Sequence, residues 1–167
     1  MDADALPQDL TGALVVAVED SPAAREALRW AAALATALDR PLHAVTVWNF
    51  VRGHAPHDEH PDETPSAARW QAEAERRLQA LVAEEVTTPV QLVTLHGNTV
   101  PTLLAVAAVA DHLVVGSRGR GGFAGLLLGS TSDQLVRYAA CPVTVAGRGG
   151  TDRGRARADE SGARRTS

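Results

Sequence analysis

The residues with the plainest chemical potential lie between Leu113 and Ser130, in the stretch LVVGSRGRGGFAGLLLGS. The apolar run Leu113-Val114-Val115 ends at Gly116, and six glycines stand from Gly116 to Gly129 inclusive. A buried strand that passes through a glycine-rich turn into a helix start presents backbone N–H groups to a phosphate. Glycine serves there by adopting positive φ and by letting the backbone meet an anion with no Cβ between them. The spacing Gly116-x2-Gly119-x9-Gly129-Ser130 is not a P-loop, and the chain contains no lysine to play the P-loop part. Nor is it a dinucleotide fingerprint, because a long insert separates the outer glycines.

Two further segments carry suitable chemistry at strand ends: Glu19-Asp20-Ser21 and Val47-Trp48-Asn49. In an open parallel sheet, ligands sit beyond the carboxyl ends of the strands. These two segments and Gly116-Ser117-Arg118 are therefore expected to converge on one nucleotide. N–H groups near Gly119, Gly129 and Ser130 would hold the phosphates, with Ser130 Oγ as a further donor. The helix opening there adds partial positive charge, and Arg118 and Arg120 supply full charge in place of lysine.

Other constellations are weaker. His54, His57 and His60, with Asp58, Glu59 and Asp62, are ligand types for a metal, but a proline-broken loop fixes no geometry for them. Cys141 has no acid–base partner in sequence reach and reads as a buried thiol. Ser117, Ser130 and His96 lack the G-x-S-x-G elbow of a hydrolase. His43 and His112 lie in or beside apolar runs and read as structural. No catalytic or metal-ligating residue is assigned.

Elements must position these residues, and the chain alternates them. Residues 1–12 form a polar lead-in. Leu14–Val18 is an apolar run expected of a strand covered on both faces. Ser21-Pro22 supplies a cap and a first-turn proline for a helix ending at Asp39-Arg40-Pro41. Leu42–Trp48 is a second strand, and residues 49–64 a polar loop. A helix spans Pro65–Glu85, with Trp70, Ala74, Leu78 and Leu81 on one stripe. Pro89–Leu95 is a third strand, and Asn98 caps a helix running to Val109. A strand into the glycine loop, a helix over Thr131–Tyr138 and a strand over Pro142–Ala146 complete the series. Strands alternating with helices imply right-handed crossovers and a parallel sheet with helices on both faces.

The glycine spacing, the opening Val15-Val16-Ala17-Val18-Glu19-Asp20-Ser21-Pro22, and the close from Gly129-Ser130-Thr131 to Cys141-Pro142-Val143-Thr144-Val145 together resemble the ATP-binding branch of the universal stress protein family. The resemblance covers roughly residues 12–147. It implies an α/β, Rossmann-like (adenine nucleotide alpha hydrolase-like) three-layer sandwich with a five-stranded parallel sheet. It also implies that Val47 reads adenine through its backbone, and that Ala17, Val115 and Thr131 shape the pocket. Glu19 stands where the family usually has an aspartate that contacts the ribose hydroxyls, and Asp20 where glycine is common. ATP is the implied ligand, with Mg²⁺ held mostly by phosphates and water, and a homodimer through the last strand the implied assembly. The expected role is a nucleotide-dependent regulator of a stress response with little or no hydrolysis, because no general base or lysine is evident for the γ-phosphate. A nucleotide α-hydrolase or adenylyl-transfer enzyme on the related fold, and a dimeric module that binds no nucleotide, stay open as alternatives.

The whole chain bounds these readings. Its 167 residues suffice for one domain with a substantial core. Aromatics are only 4%, so that core must be aliphatic. No apolar run is long enough to span a membrane, and the first residues carry no secretory pattern, so a cytoplasmic location is expected. The net charge of −4 argues against a specific nucleic-acid partner. Residues 148–167 hold six arginines against Asp152, Asp159 and Glu160, and their Gly/Arg-rich composition reads as a disordered tail.

Overall fold

A computed structural model of the chain describes residues 6–50, 66–119 and 127–147. The histidine loop, Arg120 with the glycines after it, and the arginine-rich tail lie outside the described residues.

Five strands, β1 (Leu14–Ala17), β2 (Leu42–Trp48), β3 (Gln91–His96), β4 (His112–Gly116) and β5 (Val143–Ala146), form one parallel sheet in the order β3-β2-β1-β4-β5. Four helices, α1 (Pro22–Leu38), α2 (Ala67–Glu85), α3 (Thr99–Ala107) and α4 (Ser130–Tyr138), make the crossovers. Alternation along each strand sorts the core into two layers. Val15, Val45, Val93, Leu113 and Val115 face α3 and α4, while Leu14, Val16, Leu42, Ala44 and Val114 face α1 and α2. The central strands β1 and β4 are apolar on both sides because both sides are covered. The chain leaves β1 for one face and reaches β4 from the other. The sheet therefore opens a crevice beyond the carboxyl ends of these two strands.

Several boundaries differ from the sequence reading. The helix expected from Pro65 starts at Ala67, because Ser66 takes the cap position and accepts from the Arg69 N–H at 3.4 Å. The third strand starts at Gln91 rather than Pro89, which has no N–H for the ladder. Asn98 occupies the cap position of α3 without a capping side-chain bond, and α3 ends at Ala107. The lead-in is not merely polar. A short 3-10 turn over Gln8–Leu10 buries Leu10 fully, and Leu6 joins it in the layer under α3.

Candidate functional site

A cavity of about 470 Å³ fills the crevice beyond β1 and β4. Its floor is apolar: Ala17, Val45, Val47 and Val115 rise from three adjacent strands, and Leu103 of α3 closes one side. Its rim is the glycine segment, with Gly116, Arg118 and Gly119 on the strand side and Gly129, Ser130 and Thr131 on the helix side. Glu19 completes the wall. The three strand ends singled out from the sequence thus meet at one cavity.

The glycines act by close approach. Positive φ among the described glycines belongs to Gly12 and Gly97, not to the loop positions. A Cβ on Gly116 would stand 2.8 Å from the Ala23 carbonyl carbon and 2.9 Å from the Ala24 nitrogen. Gly116 therefore lets the first turn of α1 press on the end of β4. At Gly129 a Cβ would meet Arg118 Cα at 3.4 Å and the Ser117 oxygen at 3.6 Å, so the two sides of the loop lie nearly in contact.

The expected donor set needs one correction. The Gly129 N–H already donates to the Ser117 carbonyl at 2.8 Å, which pins the loop but removes that group from ligand binding. Among the described residues, the open donors lie one step on. Helix α4 opens on Gly129, which has no side chain with which to cap it, and Asp133 is the first residue to donate back, to the Gly129 carbonyl at 2.9 Å. The N–H groups of Ser130, Thr131 and Ser132 thus have no helical partner, and all three residues line the cavity.

Val47 is placed for base recognition by the sheet register. Successive residues of β2 point their backbone groups to opposite neighbours: Trp48 accepts from Gly97 on the β3 side, and Val45 accepts from Val18 on the β1 side at 2.8 Å. Val47 therefore turns toward β1, whose pairing ends at Ala17 opposite Val45. Its N–H and C=O reach into the crevice, an edge suited to a heterocycle that offers one acceptor and one donor.

Ser21, Asp20 and Trp48 of the strand-end segments do not line the cavity. Ser21 Oγ accepts from the Ala24 N–H at 3.2 Å and donates to the Arg118 carbonyl at 3.4 Å, tying the α1 start to the loop. Asp20 turns outward to Arg25 at 3.2 Å. Trp48 packs on His96, with ring centroids 4.5 Å apart, on the opposite sheet face. There it borders a second cavity, of about 440 Å³, between β2 and α2. Sequence reasoning missed Ser132, whose Oγ donates to the Gly116 carbonyl at 2.7 Å and couples α4 to β4. It also missed Thr99 and Leu103, where α3 meets the cavity. Cys141 is half-buried and burial pushes its thiol pKa up, as suits a packing residue.

Comparison with known proteins agrees with this architecture. The Universal stress protein family model matches residues 12–147. Universal stress protein Rv2623 of Mycobacterium tuberculosis is 37% identical over 145 residues, covering 79% of this chain and 46% of the relative. The chain thus spans about half the length of the curated relatives it matches. Among solved structures, a universal stress protein in complex with cAMP is similar at a TM-score of 0.55 and 23% identity, covering 81% of this chain and 95% of the other. One from Archaeoglobus fulgidus in complex with dAMP gives 0.52 and 20%, covering 82% and 98%. With a family model matched from the first strand to the last, the chain belongs to the universal stress protein family.

Proposed function

We propose that this chain binds ATP in the crevice beyond β1 and β4 and acts as a nucleotide-dependent regulator of a stress response rather than as an enzyme. One observation carries the reading: the open first turn of α4 and the outward backbone edge of Val47 face the same cavity. The first suits a phosphate and the second an adenine edge. The cAMP and dAMP complexes of the two similar proteins are consistent with an adenine ligand. Little or no hydrolysis is expected, because no lysine is available to stabilise a departing phosphate. Mg²⁺ would enter with the nucleotide, held by phosphates and water, since among the described residues Glu19 is the one carboxylate lining the cavity. The outer edge of β5, where the sheet ends, offers backbone groups for pairing with a second copy. No described helix is long and apolar enough to cross a membrane, and we assign the protein to the cytoplasm.

The test is mass spectrometry of nucleotide released from the purified protein, paired with calorimetric titration of ATP into wild type and Gly129→Val. Branched methyls at Gly129 should crowd the Arg118 backbone and abolish binding while circular dichroism stays native. Undiminished ATP affinity in a folded Gly129→Val protein would sink the loop assignment.

A further inference from the structure

The second cavity, of about 440 Å³ between β2 and α2, differs in chemistry from the nucleotide crevice. Its size lies within the range of roughly 300–1,000 Å³ usual for small-molecule sites. Trp70, Ala74 and Arg77 line it from successive turns of one face of α2, and Trp48 lines it from β2. Phe50 joins the two indoles edge-on, its ring centroid 5.7 Å from that of Trp48 and 6.0 Å from that of Trp70. Trp48, Phe50 and Trp70 are three of the six aromatic residues in a chain whose core is aliphatic, so they are gathered where the sheet packing does not demand them. One end of the cavity is built round Glu73, which is buried and answered twice, by Arg76 and by Arg77. Two guanidinium groups on one carboxylate leave that end with an excess of positive charge. Arg77 gives its Nε–H to Glu73, and neither of its Nη groups has a partner among the described residues. Seven residues farther along α2, Glu84 shares Arg25 with Asp20, which leaves the opposite excess there.

We infer that this cavity is a second ligand site, separate from the nucleotide crevice, and that it takes a small planar aromatic carboxylate. The ring lies among Trp48, Trp70 and Ala74, and the carboxylate takes the open Nη edge of Arg77. None of these four residues lines the crevice, so the inference goes beyond the nucleotide reading and does not depend on it. Indoles accept a planar body by offset stacking or edge contact, and the single methyl of Ala74 leaves room for it. A guanidinium fork matches a carboxylate with two parallel hydrogen bonds. Because Glu73 already holds Arg77 through Nε, the fork is oriented before the ligand arrives and less freedom is lost on binding. The acidic excess around Asp20 and Glu84 repels a carboxylate from the far end and so fixes which way round the ligand lies.

The experiment titrates cinnamate, its neutral counterpart cinnamyl alcohol and the non-planar cyclohexanepropionate into the full chain by calorimetry at neutral pH. Wild type, Arg77→Gln and Ala74→Trp are compared, with circular dichroism checking that each is folded. Wild type should bind cinnamate about tenfold or more tightly than either of the other two. Arg77→Gln should erase the advantage over the alcohol and leave the alcohol itself within about twofold. Arg76 still answers Glu73 in that variant, so no buried charge is stranded. Ala74→Trp should abolish binding by filling the room, and saturating ATP should leave cinnamate bound to wild type. Wild type that ignores cinnamate, or prefers it to neither comparison ligand, overturns the inference. So does an undiminished cinnamate affinity in Arg77→Gln or in folded Ala74→Trp, and so does displacement of cinnamate by ATP, which would put it in the crevice instead. Should Ala74→Trp fail to fold, Arg77→Gln decides alone. The nucleotide reading is judged separately, by the ATP titration of wild type against Gly129→Val.

Discussion

Helices α1 and α4 both begin beside the end of β4, yet their first turns are finished in opposite ways. Helix α1 is closed by its own residues: Ser21 caps the Ala24 N–H, Pro22 removes a donor at the first position, and Arg25 is held by Asp20, Glu84 and Glu85. Helix α4 starts on a glycine and leaves its first donors turned to a cavity. Both starts carry the same partial positive charge. In α1 that charge is answered by the chain and the turn serves as scaffold. In α4 the answer is left to a ligand. A helix end without a cap that faces a cavity is thus a better guide to a binding site than a glycine run alone.

The largest effect should come from breaking the contact that joins the two starts. Gly116→Val would drive a side chain into the Ala23–Ala24 backbone, where even a Cβ comes within 2.8 Å. Backbone cannot yield as a flexible side chain can, so a loss of roughly 3 kcal/mol is expected. Urea denaturation should show a lower midpoint at unchanged slope.

A smaller, paired experiment exchanges the characters of the two ends. Ser21→Ala opens α1 and frees the Arg118 carbonyl, and it should cost about 1 kcal/mol in thermal or urea unfolding. Gly129→Asp closes α4 by giving it a capping carboxylate. It should leave stability within a few tenths of a kcal/mol or raise it, while weakening ATP by about tenfold or more. Equal ATP affinity in Gly129→Asp and wild type would show that the open turn of α4 is not where the phosphates sit.

Much of this contrast was legible in the chain. Leu14–Val18 and Leu113–Val115 announce central strands because burial on both faces demands unbroken apolar runs, and Ser21-Pro22 announces a capped helix from local chemistry alone. The glycine spacing located the rim, and ten of the residues proposed for the site do line the cavity. The parts that escaped depend on residues distant in sequence. Asp20 turns away from the crevice because Arg25 is anchored by Glu84 and Glu85 on α2. Loss of the Gly129 N–H to Ser117 depends on how the loop closes, which spacing does not encode. Leu6 and Leu10 stand isolated in a polar stretch without periodicity, and only the layer under α3 explains their burial.

The smallest effect concerns the clamp that finishes α1. Glu85 is largely buried and bonded to Arg25 at 2.8 Å, with Arg29 as its second partner, and the Arg25 bond leads in holding its carboxyl below the ordinary value near 4.5. A carboxyl with a lowered folded-state pKa binds fewer protons in the native protein than in the unfolded one. Its stabilisation is complete above about pH 4.5 and drains away as pH falls through the lower native value. Glu85→Gln should therefore cost roughly 1 kcal/mol at neutral pH and much less at pH 3, so that the two unfolding curves converge in acid. At the cavity end of α4, Ser132 is tied to the Gly116 carbonyl by a hydroxyl that does not titrate in this range. Acid should thus loosen the α1–α2 contact first. Hydrogen exchange at pH 4 against pH 7 should show faster opening in the first turn of α1 than around Leu135, and equal acceleration at both would refute the division between a closed scaffold end and an open ligand end.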